Sequence, residues 1–323
     1  MELPIIDDSH VTSLTPWPLL IDAISDAFRR GGESPVRNHH AIPGNDREDI
    51  TLLQMPAWDR DGEFGIKLAT IAPSNAALGY PTLHGVYVLF SGATGIPEAI
   101  LDAGALTARR TAAASALASR CLSRRDARTL LIIGTGRVAR QLIGAHCSVR
   151  PIEEVRIWGR NAAHAEDVAD EASQAIGVRC VVATDVETGA AGADIISSAV
   201  PSESPLLRAD WVAPGTHIDL VGAYKPTMCE ADVDVVGTAD HVFVDTIEGA
   251  ESEAGDLIQA VQAGTFSFDA IAGDMYRMSL GVASLRNSPE EITLFKSVGA
   301  ALEDLAAAQL CVRQLKAQQN WQS

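Results

Sequence analysis

An apolar run at 130–133 (LLII) meets Gly134-Thr135-Gly136 and opens into Arg137-Val138-Ala139-Arg140-Gln141. Few stretches constrain a chain more. A strand that ends in G-x-G-x-x-A and starts a helix is the phosphate-binding turn of a dinucleotide fold. Gly134 permits the tight turn, and Gly136 lets the backbone approach a pyrophosphate. Ala139 is small enough for close helix–strand packing, and the helix N-terminus offers free N–H groups with partial positive charge. From 129 onward strand and helix patterns alternate: strands at 129–133, 154–158, 178–183, 194–199, 216–221 and 241–244, with helices at 137–148, 162–176 and 186–189. That alternation predicts an α/β Rossmann domain, a parallel sheet with helices on both faces.

The part before 118 reads differently. A helix over 19–30 places Leu20, Ala23, Ile24, Ala27 and Phe28 on one face. Short strands follow at 50–55, 64–71, 85–90 and 97–101, joined by loops too short for crossovers, so an antiparallel or mixed sheet is expected. The alanine-rich stretch 106–122 reads as a long helix linking the two parts, and 292–316 as helical in part. The last helix, 300–316, is expected to pack back on the N-terminal part. The chain then divides into a discontinuous α+β substrate-binding and dimerisation domain (1–118 completed by 293–323) and a Rossmann NAD(P)-binding domain (119–292).

With 42 acidic against 25 basic residues, the net charge of −17 argues against nucleic acid and anionic membranes as partners. The five cysteines are scattered, without a C-x-x-C or a Cys/His cluster, which suits reduced thiols in a cytoplasmic protein and no metal site. The N-terminus has neither a basic n-region nor a long apolar run, so no leader or membrane span is expected.

After the second strand of the nucleotide domain the chain reads Trp158-Gly159-Arg160-Asn161, with no acid to hold a ribose 2′-hydroxyl. Arg160 and Asn161 suit a 2′-phosphate, which favours NADPH, with NADH as the alternative. In the first part three cations stand out: Arg37, Lys67 and Arg110. Lys67 interrupts an apolar strand, where it is either a partnered buried charge or the outward residue between inward Ile66 and Leu68. Of Arg109 and Arg110 only one is expected to face inward, the alternative being a solvated corner. His39, His40 and His84 are candidate acids or bases without a recognisable triad, and no metal-ligand spacing accompanies them.

GIKLAT (65–70), TGIPEAILDAGALTARRTAAASALA (94–118), IIGTGRVARQ (132–141), HIDLVGAYKPTMCEAD (217–232) and ITLFKSVGAALEDLAAA (292–308) together resemble the ornithine cyclodeaminase/mu-crystallin family along nearly the whole chain. The resemblance implies an NAD(P)-dependent homodimer. It implies that Lys67, Arg110 and Arg37 bind a substrate carboxylate and that Thr82 contacts substrate. It also implies that Ser198-Ala199-Val200 and Val221-Gly222 contact ribose and nicotinamide, and that the segment carrying Lys296, Ser297 and Gly299 approaches the nicotinamide amide. Cyclodeaminases of this family carry Asp in a Val-Gly-x-Asp pattern, where this chain has Tyr224. Its 217–232 segment, Arg37-Asn38-His39-His40 and His84-Gly85 instead resemble bacterial Δ1-pyrroline-2-carboxylate reductases. The expected activity is NADPH-dependent reduction of a small cyclic imino acid, to L-proline or L-pipecolate. The alternatives are ornithine cyclodeaminase and a non-catalytic, NADPH-dependent binding protein.

Overall fold

The computed structural model describes residues 3–44, 47–60, 62–281 and 285–321. The chain forms two compact units, 1–110 with 300–323, and 111–299.

The first unit contains β1 (Ile5–Ile6), α1 (Asp8–Leu14), α2 (Trp17–Arg30), β2 (Asn38–Ile42), β3 (Ile50–Trp58), β4 (Phe64–Ile71), β5 (Leu83–Phe90) and β6 (Pro97–Asp102). The start of α3 (Ala103–Leu122) and the last helix of the chain, α11 (Ala301–Trp321), complete it. Its strands make one mixed sheet in the order β1-β6-β5-β4-β3-β2, antiparallel except for β1 beside β6. Helix α11 packs on β3, β4 and β5 and against α2, so the returning C-terminal segment contributes to this unit's core. The strand β2 was not anticipated: Asn38-His39-His40-Ala41-Ile42 has no alternation of apolar residues, and its pairing with β3 is what makes it a strand.

The second unit carries β7 (Thr129–Ile133), α4 (Arg137–Cys147), β8 (Glu154–Trp158), α5 (Ala162–Ile176), β9 (Arg179–Val182), α6 (Val186–Ala190), β10 (Ile195–Ser198) and β11 (His217–Leu220). It continues with α7 (Val233–Thr238), β12 (His241–Val244), α8 (Ile247–Glu253), α9 (Gly255–Ala263), β13 (Ile271–Gly273), α10 (Met275–Met278) and β14 (Thr293–Lys296). All eight strands are parallel, in the order β13-β12-β14-β11-β10-β7-β8-β9. The chain winds outward from β7 in both directions, so the β7–β10 edge is the topological switch point where such sheets bind ligands. The segment 292–300 is not helical. Thr293–Lys296 is a strand between β11 and β12, its side chains buried on both faces of the sheet, and a run buried on both faces carries no period to separate strand from helix.

Candidate functional site

In the first unit, alternation along β4 places Gly65, Lys67 and Ala69 on the buried face and leaves Ile66 and Leu68 half-buried on the other. Of the two readings of Lys67, this is the partnered buried charge. Its side chain is 3% exposed, and Nζ lies 2.7 Å from Asp304 Oδ2 and 3.2 Å from Thr107 Oγ1. Arg110 donates from Nε to Asp304 Oδ1 at 3.0 Å and from Nη1 to Glu303 Oε2 at 2.7 Å. Both acids lie in the first turn of α11 and are fully buried. Asp304 therefore holds Lys67 and Arg110 together through its two oxygens. Burial pushes the Lys67 ammonium down to about 8; Asp304 opposes that fall, while the charges of Arg110 and Arg37 add to it.

Met55, Lys67, Tyr87 and Leu101 form one cross-strand row over β3, β4, β5 and β6. Arg37, just before β2, extends the row: its Nη1 lies 4.0 Å from Met55 Sδ. Tyr87 is fully buried, and its Oη has no hydrogen-bond partner among the described residues. Burial, with Asp304 nearby, pushes its phenol well above its usual range. The ring lies over Gly65, where an added Cβ would come within 2.6 Å of Tyr87 Cζ.

Arg109 and Arg110 are both buried, against the expectation that only one would be. Arg109 turns elsewhere: its guanidinium stacks 3.4 Å from the Trp17 ring centroid, and it donates to Thr15 Oγ1 and to the Thr15 carbonyl. A cation over an aromatic face with two acceptors is a structural bracket between α1 and α2. Thr82 is exposed in the turn before β5, and His39, His40 and His84 are exposed. The structure gathers Arg37, Lys67 and Arg110, and leaves these four at the surface.

In the second unit the phosphate-binding turn follows β7 as the sequence requires. Gly134 has φ 123°, a conformation that favours glycine, and donates to the Trp158 carbonyl at 2.8 Å. Gly136 is the N-cap of α4 and makes no side-chain cap bond; a Cβ there would meet nothing within 4 Å. The helix start therefore has no side-chain cap and an open approach, which fits a pyrophosphate. Thr135 and Val138 are half-buried beside it, and Ala139 is fully buried against the sheet. Across the switch point, a Cβ on Gly134 would lie 3.2 Å from the Ala199 carbonyl oxygen and from Val200 Cγ2. Beyond β8, Arg160 is exposed, and Asn161 Oδ1 accepts from Ala163 N at 3.0 Å as the N-cap of α5.

The strand ends past β10 and β11 are tied by acids the sequence reading missed: Glu230, Asp256 and Asp245. Glu230 accepts from Ser198 Oγ and Val200 N with one oxygen, and from Gly222 N and Ala223 N with the other. Lys296 is fully buried, its Nζ 2.8 Å from Asp256 Oδ2 and 3.5 Å from Glu230 Oε2. Burial pushes this ammonium down, but Asp256 and Glu230 more than offset that and hold it above its usual range. Asp245 Oδ2 accepts from Ser297 Oγ, Val298 N and Gly299 N, which fixes the turn after β14. Val221 and Gly222 are half-buried at the end of β11, followed by a half-buried Tyr224. The signal for the two acids of the first unit was present in the sequence: Glu303-Asp304 interrupts a helix of small and apolar residues, and a carboxylate there needs a cation.

A Δ1-pyrroline-2-carboxylate reductase of Colwellia psychrerythraea is 36% identical over 316 residues, covering 97% of this chain and 99% of that protein. An uncharacterised protein of Schizosaccharomyces pombe is 42% identical over 314 residues, covering 94% of each. Among solved structures, a Thermococcus litoralis Δ1-pyrroline-2-carboxylate reductase in complex with NADH and L-proline superposes with a TM-score of 0.92 at 28% identity, covering 98% of each chain. The family model for ornithine cyclodeaminase/mu-crystallin matches residues 4–319. With that match spanning both units, this chain belongs to the ornithine cyclodeaminase/mu-crystallin family.

Proposed function

We propose that this chain reduces a small cyclic α-imino acid, Δ1-pyrroline-2-carboxylate or its six-membered homologue, with NADPH. The observation that carries the reading is the buried charge cluster of the first unit. Arg37, Lys67 and Arg110 bring three positive charges, and Glu303 and Asp304 two negative ones. Three cations gathered at one place suit a substrate carboxylate. Two relatives named as Δ1-pyrroline-2-carboxylate reductases, one bound to NADH and L-proline, support the substrate class.

The nicotinamide cofactor, when bound, supplies a hydride to the imine carbon. Gly134, Thr135, Gly136, Val138 and Ala139 shape its pyrophosphate site. Ser198, Ala199, Val200, Val221 and Gly222, with the turn of Ser297 and Gly299, shape the nicotinamide side. Arg37 and Arg110 hold the substrate carboxylate, and orientation of the bound imine supplies much of the rate. Lys67, brought to about 8 by burial, holds its proton at neutral pH and releases it readily, which suits protonation of the imine nitrogen. Asp304 keeps that ammonium in place.

Tyr224 favours reduction over cyclodeamination. A phenol has an ordinary pKa of about 10 and is a poor base at neutral pH where the cyclodeaminases carry Asp. The absence of an acid after β8 supports NADPH over NADH. A homodimer is proposed from the second face of the first sheet, where Ile42, Ile50, Phe64, Leu68 and Val86 are all apolar and half-buried or more exposed, Val86 at 42%. A face of that kind on one sheet suits a second copy.

The deciding experiment follows nicotinamide absorbance with pyrroline-2-carboxylate, piperideine-2-carboxylate and ornithine, each with both coenzymes. Imine-dependent NADPH oxidation is expected. Ammonia release from ornithine with NAD would replace this reading with the cyclodeaminase, and binding without turnover would leave a ligand-binding protein.

A further inference from the structure

Two strand ends in the second unit share one buried carboxylate. β10 and β11 run side by side with Ser198 in register with Leu220, and the last ladder bond is Val221 N to the Ser198 carbonyl at 2.9 Å. Past that point the two backbones lose each other as partners. Glu230 takes over there. Its Oε1 accepts from Ser198 Oγ at 2.6 Å and Val200 N at 2.9 Å, and its Oε2 from Gly222 N at 2.6 Å and Ala223 N at 3.0 Å. All four partners donate, so the group is an ionised carboxylate using both oxygens as acceptors.

Glu230 is itself held from behind. Asp256, buried in the first turn of α9, accepts from Glu230 N at 2.6 Å and Ala231 N at 3.1 Å. Lys296 joins the two acids, 2.8 Å from Asp256 and 3.5 Å from Glu230. It comes from β14, whose Lys296 stands in register with Leu220 of β11. Three strands and one helix thus converge on a triad with no solvent access. A buried charge of this kind is costly unless every acceptor is used, and here both oxygens of Glu230 are.

We propose that Glu230 is a positioning residue for the nicotinamide half of the dinucleotide: it sets the spacing of the 198–200 and 221–223 backbone before the coenzyme arrives, with Lys296 and Asp256 fixing Glu230. The inference rests on the coenzyme reading above and adds which internal group shapes that end of the site. The phosphate-binding turn lies across the switch point; it approaches the 198–200 backbone at Gly134, and the bonds of Glu230 go to the strand ends instead. The consequence is a split between the two halves of the ligand.

The test is calorimetric titration of wild type and Glu230→Gln with NADPH and with adenosine 2′,5′-bisphosphate, which lacks the nicotinamide half. An amide accepts with its oxygen but turns its NH2 toward two donors, so one strand end is released. NADPH affinity is expected to fall about tenfold or more, while the adenine-half ligand binds as before. Glu230→Asp keeps the charge beside Lys296 but is one methylene too short to reach both strand ends, and it should give the same split. Equal affinity for NADPH in the variant overturns the proposal, as does an equal loss of both ligands. Wild type that binds neither ligand overturns the coenzyme reading and this one with it. If both variants fail to fold, hydrogen exchange of the coenzyme-free wild type decides: slow exchange at Val200, Gly222 and Ala223 is expected, and fast exchange there shows strand ends that Glu230 does not hold.

Discussion

Lys67 Nζ lies 2.7 Å from Asp304 Oδ2, in a pair where the lysine is 3% exposed and the aspartate fully buried. The residues are far apart in sequence, and they meet because α11 packs on the face of β4 that carries Lys67. Without Lys67, Asp304 keeps its bond to Arg110 but loses the cation at Oδ2, and breaking a buried charge pair costs up to about 3–5 kcal/mol. Lys67→Met should therefore lower the melting temperature and also reduce kcat by about 10²–10⁴, the usual worth of a general acid. Adding Asp304→Asn should lower stability further, because Arg110 then loses the carboxylate at its Nε. A raised KM with intact kcat would show that Lys67 only binds the carboxylate.

The position of Lys67 on the pH scale gives a second test. Burial lowers it from 10.5 to about 8, so the folded chain releases this proton before the unfolded chain does. The lysine then costs stability below about pH 8, and that cost disappears between about pH 8 and 10.5. Activity should move the opposite way. With the protonated form required, kcat/KM in the reductive direction should fall as pH rises through about 8. Lys67→Arg should remove that limb wherever it retains measurable activity. A flat profile from pH 7 to 9.5 would contradict a protonated Lys67.

The sequence made some of these features plain and hid others for physical reasons. The turn at Gly134 and the α/β alternation after it follow from local pattern. Lys67 and Arg110 were visible as cations in apolar or small-residue surroundings, but periodicity alone left the orientation of Lys67 open. Its partner Asp304, on α11, decided it. Glu230 was less visible still. Its role depends on the register of β10 and β11, and register is set by the whole sheet. Thr293–Lys296 was hidden because a strand buried on both faces has no alternation to read.

Gly222 offers a test of the switch-point geometry. A Cβ there would lie 2.6 Å from the Val200 carbonyl carbon and oxygen, which are backbone and do not yield as a flexible side chain does. Gly222→Ala must push the ends of β10 and β11 apart. Overpacking of this kind typically costs about 1–3 kcal/mol. A drop in melting temperature with weakened NADPH binding is the expected result. A variant with wild-type stability and coenzyme affinity would mean that the two strand ends are not in close contact.

The proposed preference for NADPH rests on Arg160. It follows Gly159 at the end of β8, on the side of β7 away from β10, and is exposed just before the N-cap of α5. Asn161 is committed to the cap through Ala163 N, so its main chain is fixed and Arg160 projects from a rigid corner. An arginine there pairs with a 2′-phosphate and gains little from a 2′-hydroxyl. Arg160→Ala should raise the KM for NADPH about tenfold and leave the KM for NADH within about twofold, with kcat unchanged for both. Added salt should weaken NADPH binding to wild type more than to the variant, because an exposed ion pair is screened. Equal effects on the two coenzymes would place the 2′-phosphate elsewhere and return the preference to NADH.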